Sequence, residues 1–411
     1  MTPQRTVFFE LVTSLLKLGA LTHDIGKAGD AFQDKLRHAC RTPAEPHPEF
    51  LRHDGLSYWV LRKLSADAPH PLERLTRLAQ VASPDLTAQL LPLVATPDNL
   101  RAEFAAALNS DITQLETALN AEPGRFGRGR REMPLTAETL EACCSNLIRF
   151  LALSHHTLPA SRVQCEGYAA SKTPAALTSG YFNNGPGAVS TFLACVTFSR
   201  GGLMANAKGE TTDIGHSFVE ELSRLTNLLQ KVDLSSFDLG GLCHLALTYA
   251  RPLMVLSDHL GSALKKDKAE PGDDLLWANT RQVEGNIRAG DSLHSHIQNV
   301  IGHAKHQGQL FFQLANNDCR LFPALSPQAF HQTAALRLPS GPFAWQNQAY
   351  EYLKTLPKPA AGGSPTFALV TAATGSGKTV GAAQLALALG STRFTYCLGL
   401  RTLTQIGRAH V

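Results

Sequence analysis

The chain has 411 residues, with 38 Lys and Arg against 34 Asp and Glu for a net charge of +4, and 44% hydrophobic against 18% charged residues. That length suits two or three domains with cores of their own, and the composition excludes a largely disordered chain. No run approaches the roughly 20 apolar residues of a membrane span, so no membrane partner is expected, and so slight a positive surplus identifies no nucleic-acid partner by itself.

Taken in chain order, Phe8, Leu11, Val12, Leu15, Leu18 and Ile25 recur at near-helical spacing and predict a helix from Val7 to about Gly26. A second helix is expected from Pro48 to Leu64. A third carries Leu140, Cys144, Leu147 and Leu151 on one stripe, with Thr136 as N-cap and Pro159 beyond its end. A fourth covers about Leu242 to Leu264, kinked at Pro252. Residues 1–325 therefore read as mainly helical, interrupted at 164–213 by Gly-, Asn-, Ser- and Thr-rich sequence that suggests an insertion of surface loops. Cys40, Cys143, Cys144, Cys165, Cys195, Cys243, Cys319 and Cys397 form no C-x-x-C pair, and no signal peptide precedes them. They read as reduced thiols, mostly core, in a cytoplasmic chain.

The pattern changes after about residue 330. A short helix at Trp345–Leu353 precedes a Pro- and Gly-rich stretch, a strand at Thr366–Val370, a glycine loop, a helix at Thr379–Leu389 and a strand at Arg393–Leu398. Strand, loop, helix, strand opens a parallel α/β sheet, so residues 326–411 are expected to be a second, α/β domain.

Metal-ligating side chains collect in the helical part: His23 and Asp24 in THDIGK, His53 in LRHDGLS, His155 and His156 in LSHHTLP, and Asp258 in LSDHLGS. Imidazoles and carboxylates suit Mn, Fe, Ni, Co or Zn, and a carboxylate between two metals can help activate water against a phosphate ester. Any one of these residues alone is more readily a core or surface residue. HD, then H, then HH, then D on separate helices resembles the HD phosphohydrolase superfamily, an all-helical fold whose ligands converge. Lys27, four residues beyond His23, is expected on the same helix face, holding a substrate phosphate, orienting Asp24, or simply solvated.

Ala372–Thr379 reads AATGSGKT between strand and helix, the context of a phosphate-binding loop. Backbone N–H groups from Thr374 through Gly377 can curl around phosphates, Lys378 can reach the β- and γ-phosphates, and the Thr379 hydroxyl can ligate the magnesium of Mg-ATP. This version, with alanine for the first glycine, resembles superfamily two helicases, whose Q motif Gln346 in FAWQNQA resembles. In that reading Gln346 contacts adenine.

An HD domain joined to such a helicase domain resembles the effector nuclease-helicase of type I CRISPR systems, the Cas-three family. HDIGKAGDAFQDKL, RHDGLS, LSHHTLP, SDHLGS, WANT, FAWQNQA and CLGLRTLT resemble its type I-F branch, in order and over almost the whole chain. The resemblance implies that His23, Asp24, His53, His155, His156 and Asp258 hold two metals, that Gln346 and Thr374, Gly375, Ser376, Gly377, Lys378 and Thr379 hold ATP, and that Arg401 and Thr402 touch DNA. It further implies cleavage of single-stranded DNA, recruitment by a crRNA-guided surveillance complex, and contact with the adaptation integrase. Arg125, Phe126, Arg128, Arg130 and Arg131 could add a strand-binding patch, although a solvated loop is the preferred reading there.

Three features depart from that family. Residues 1–22 lack the histidine that completes one metal site in many members, no Cas-two-like domain precedes the HD helix, and no acidic Walker B motif or second RecA-like domain follows the phosphate loop. A fragment is therefore expected, and the ending Ile406–Val411 matches one frame of a common sequencing adapter, so residues from about 405 are expected to be artefactual. Two other functions fit the same residues: an HD phosphohydrolase acting on small nucleotides, and an inactive module that binds DNA or the surveillance complex.

Overall fold

The apolar spacing at the N-terminus closes into α1 (Pro3–Thr22), whose Leu11, Leu15 and Leu18 are fully buried. The computed structural model describes residues 3–156, 178–263, 275–315, 341–355 and 381–389, with short breaks inside those ranges. The chain divides into two compact units, Met1–Asn316 and Asn317–Val411.

The first unit is mainly helical. After α1 come α2 (Asp30–Arg41), α3 (His53–Ser65), α4 (Pro71–Leu75), α5 (Ser83–Leu90), α6 (Pro97–Leu119) and α7 (Ala137–Leu153). Then follow α8 (Phe192–Cys195), α9 (Asp213–Leu229), α10 (Leu239–Leu245), α11 (Arg251–Ala263) and α12 (Leu293–Ala315). Helix α1 lies at the centre, against α7, α9, α11 and α12, and this explains why its apolar residues surround it rather than forming one stripe. Helix α7 starts as its cap residue predicts: the Thr136 hydroxyl accepts the N–H of Thr139.

Several boundaries differ from the sequence reading. The second expected helix begins at His53 rather than Pro48, because residues 50–52 are extended and pair with 181–183: Arg52 N–H donates to Tyr181 and Asn183 N–H to Phe50. Accordingly, the described part of the stretch expected as surface loops buries Tyr181, Phe192, Cys195, Phe198 and Met204. The fourth helix is α10 and α11 joined by a π-helical turn at Ala246–Ala250, next to Pro252. Proline lacks an amide hydrogen and crowds the preceding turn, and the wider turn absorbs both. This composite helix, Leu239–Ala263, is long and apolar enough to cross a membrane, contrary to the expectation from composition, yet it buries Met254, Ser257 and Asp258 inside the unit as a core helix does.

Two antiparallel hairpins are the strands among the described residues: β1 (Arg125–Phe126) with β2 (Met133–Pro134), and β3 (Thr280–Val283) with β4 (Asn286–Ala289). Glu284 and Gly285 turn the second with φ of +50° and +82°, the positive angles that a two-residue hairpin turn requires.

In the second unit, α13 (Ala344–Thr355) packs Tyr350 and Leu353 on Leu385 and Ala388 from a helical stretch within 381–388. The phosphate-loop residues Thr374, Gly375, Ser376, Gly377, Lys378 and Thr379, the flanking strands, and Arg401 and Thr402 lie outside the described residues.

Candidate metal centre

Helix α1 stops at Thr22, so His23 and Asp24 stand in the turn before a single 3-10 turn at Ile25–Ala28. Lys27 is therefore not one helical turn above His23, as expected from a continuous helix. It lies in the 3-10 turn, its Nζ 2.6 Å from Asp24 Oδ2. Gly26 permits this turn to press on the start of α3, since a β-carbon there would lie 2.0 Å from the His53 carbonyl oxygen. Its N–H donates to Ser57 Oγ, which donates in turn to the His23 carbonyl.

The six residues read as ligands converge, although 235 positions separate His23 from Asp258. Asp24, fully buried, is the hub. Its Oδ1 lies 3.6 Å from both His53 Nε2 and His155 Nε2, and its Oδ2 lies 3.3 Å from His23 Nε2. His156 lies beside His155, ring centroids 4.0 Å apart and tilted by 46°, and Asp258 Oδ1 lies 3.7 Å from His23 Nε2. A seventh residue, absent from the sequence reading, completes the cluster. His296 of α12 places Nε2 3.1 Å from Asp24 Oδ2 and 3.3 Å from Asp258 Oδ1. The potential ligand atoms thus fall into two groups that share Asp24: Asp24, His53, His155 and His156, and His23, Asp24, Asp258 and His296.

Neighbouring elements aim these groups. His23 Nδ1 donates to the Ala20 carbonyl at 2.8 Å and His155 Nδ1 to the Ala152 carbonyl at 2.7 Å. A carbonyl can only accept, so Nδ1 carries a proton in both and Nε2 is the nitrogen that faces the cluster, that of His23 holding a second proton beside Asp24 and Asp258 that a cation would replace. Arg251, first residue of α11, donates to the Ser154 carbonyl and so fixes the turn holding His155. Gln33 ties the HD turn to the WANT segment: its side chain donates to the Lys27 and Trp277 carbonyls and accepts from Trp277 N–H.

Electrostatics separates the two groups. Burial would lower the His23 imidazole, but Asp24 and Asp258 more than offset it and raise it to about 10. Burial followed by the imidazoles of His155 and His53 lowers His156 to about 3, and burial also lowers His155. Burial would raise Asp24, yet His23 and Lys27 hold it well below the usual carboxylate range. His23 Nε2, Asp24 Oδ1, His53 Nε2 and His155 Nε2 are buried without a hydrogen bond. Unpartnered imidazole nitrogens around ionised carboxylates are the donor set that divalent transition metals accept, so these residues fit metal ions. The arrangement opens outward through His53 and His156 into a groove of about 960 Å³, also lined by Lys35, His38, Arg52 and Phe182.

No protein-family model matches the chain. It is 26% identical over 412 residues to the CRISPR-associated nuclease/helicase Cas3 subtype I-F/YPEST of Pseudomonas aeruginosa, covering 98% of this chain and 33% of that relative. The chain resembles a type I-F Cas3 nuclease/helicase. The resemblance read from the HD, HH and WANT motifs therefore holds across nearly the whole sequence, and the chain spans about a third of the length of that Cas3 relative.

Proposed function

We propose that the helical unit is a metal-dependent phosphodiesterase that cleaves single-stranded DNA as part of a type I CRISPR defence effector, with the start of an ATP-driven helicase attached. One observation carries the reading: the two oxygens of Asp24 face two separate groups of nitrogen and oxygen donors. Divalent ions held there would supply an activated water and offset charge on a phosphodiester. The chain's own residues provide the rest. Asp24 joins the two groups, His23 and His155 present Nε2, and Lys27 positions Asp24 through its contact with Oδ2. The groove is open rather than enclosed, which suits a strand laid across it better than a small nucleotide, although Lys35 and Arg52 in its wall are paired with Glu49 and Asp54 and would have to turn from them to a phosphate.

For the second unit, the sequence of the phosphate loop supports Mg-ATP binding through Thr374–Thr379, and Gln346 supports a Q-motif role. Gln346 is buried beside the helical stretch that follows the loop, its Cγ 3.3 Å from where a β-carbon on Gly381 would stand. Arg401 and Thr402 as DNA contacts, the surveillance complex and integrase as partners, and a cytoplasmic location complete the proposal.

The test is digestion of labelled single-stranded DNA by the purified chain over Mn, Fe, Ni, Co and Mg, beside dNTPs and cyclic nucleotides. The expected result is metal-dependent cleavage of the strand that falls to background in Asp24→Ala. Hydrolysis of the small nucleotides with the strand left intact would overturn the substrate, and activity surviving in Asp24→Ala would overturn the site.

A further inference from the structure

The two donor groups around Asp24 differ in burial and in chemistry. All four residues of the His23, Asp24, Asp258 and His296 group are buried, the His296 ring at 1% exposure, and none of them lines the groove. The other group includes His53, whose side chain is 12% exposed, and exposed His156, both on the groove wall. The inner group offers two carboxylates and two imidazoles, the outer one carboxylate and three imidazoles.

We infer that His296 is a metal ligand and that it makes the inner position a retained ion site, whereas the outer position exchanges its ion with solvent through the groove. The inference rests on reading the cluster as a metal centre, and it assigns different behaviour to that centre's two halves. Without His296 the inner position would keep three donors: His23 Nε2, one oxygen of Asp24 and Asp258 Oδ1. The His296 Nε2 atom, within 3.3 Å of both carboxylates, supplies the fourth. It comes from α12, which packs along α1 and α11, the helices leading to His23 and carrying Asp258. The nitrogen is therefore fixed by three packed helices rather than by a loop. An ion there is held among described side chains of which that of Asp258, at 9%, is the most exposed, so water or a chelator reaches its ligands less readily. An ion in the outer position is reached past His156. Two negative oxygens also suit the harder ions Mn and Fe at the inner position, whereas three imidazoles shift the outer preference toward Co, Ni and Zn.

The experiment loads the purified 411-residue chain with Mn²⁺, removes free ion, adds excess EDTA, and follows release by paramagnetic resonance and elemental analysis. In the unaltered protein two ions leave in two phases separated by more than about tenfold in rate. His156→Gln loses the fast phase and keeps the slow one. His296→Gln, which keeps a polar side chain, loses the slow phase and retains the fast, with an unchanged far-ultraviolet dichroism spectrum. Release of both ions in a single phase from the unaltered protein overturns the inference while leaving a metal centre in place. So does a slow phase that survives unchanged in His296→Gln. If that variant fails to fold, the two phases of the unaltered protein and the response of His156→Gln decide. A chain that takes up no Mn²⁺ overturns both the inference and the metal-centre reading beneath it.

Discussion

Gly26 lies where a β-carbon would stand 2.0 Å from the His53 carbonyl oxygen, a backbone atom that cannot swing away. Replacing it with alanine must push the HD turn off the start of α3, separating Asp24 from His53. Gly26→Ala is expected to cost about 3 kcal/mol, the upper range of overpacking, and to weaken metal uptake at the same time. A urea titration paired with a metal-binding isotherm would show both changes; a loss of stability with unaltered uptake would mean that the turn and the ligands are independent. A second buried group away from the site separates folding from chemistry. Asp111, 1% exposed, accepts hydrogen bonds from Arg149 and Tyr58 and lies 3.3 Å from Arg62. Asp111→Ala leaves the Arg149 guanidinium buried without its carboxylate, and about 3–5 kcal/mol of stability should be lost on denaturant unfolding. The cysteines give a check at the same scale. Burial pushes the Cys195 thiol up to about 11 and raises that of Cys144 further, so about one Cys195 thiol in a thousand is ionised at pH 8. Among the described cysteines, alkylation at pH 8 followed by peptide mapping should find Cys40 modified first, and Cys143, Cys144, Cys195 and Cys243 protected until the chain unfolds.

At the scale of elements, the site depends on how one helix end meets another. At the end of α7 the last carbonyls need partners from outside the helical ladder: that of Ala152 accepts from His155 Nδ1, and Arg251 from α11 donates to that of Ser154 immediately before His155. Arg251→Ala should therefore loosen the turn carrying His155 and His156, lowering affinity at the outer position by about tenfold while leaving the inner ion bound. The fast phase of Mn²⁺ release would quicken and the slow phase would not; a change confined to the slow phase would contradict this clamp. The same interlocking explains what could be read from sequence. The stripes of α1 and α7 and the Thr136 cap were visible because they are local, and so were four histidine and aspartate settings, each marked by an HD, HH or similar short pattern. His296 sits in SLHSHIQNV, where nothing adjacent marks it, and His294 two residues earlier is a distraction on another helix face. Leu293, Ile297, Val300 and Ala304 would have identified a helix with a buried stripe, and His296 lies next to that stripe. What no local pattern contains is that α12 packs between α1 and α11. The end of α1 at Thr22 escaped for a related reason. Ile25 continues the apolar period, but it is buried from a 3-10 turn, under tertiary constraint from α3.

At the scale of the whole chain, the polar cluster belongs to one unit alone. Every residue in the main hydrophobic core lies between Leu11 and Phe311, and all seven residues of the cluster, Asp24 included, fall within Met1–Asn316. Among its described residues the second unit packs Tyr350, Leu353, Leu385 and Ala388 together. The first unit buries a continuous apolar core within its own residues, so its folding should not depend on the second. A chain ending at Asn316 is expected to unfold in one cooperative transition and to bind the same number of metal ions as the longer chain. It should cleave single-stranded DNA without ATP at a rate within about twofold of the full 411 residues. Lys378→Ala in the longer chain should likewise leave basal cleavage unchanged, because that residue belongs to the phosphate loop and not to the metal cluster. Side-by-side measurement of metal content and cleavage rate for the three proteins decides the point. If the shortened chain folds and holds its metals but no longer cuts, residues 317–411 contribute to strand binding, and the groove beside His53 and His156 is only part of the path the DNA follows.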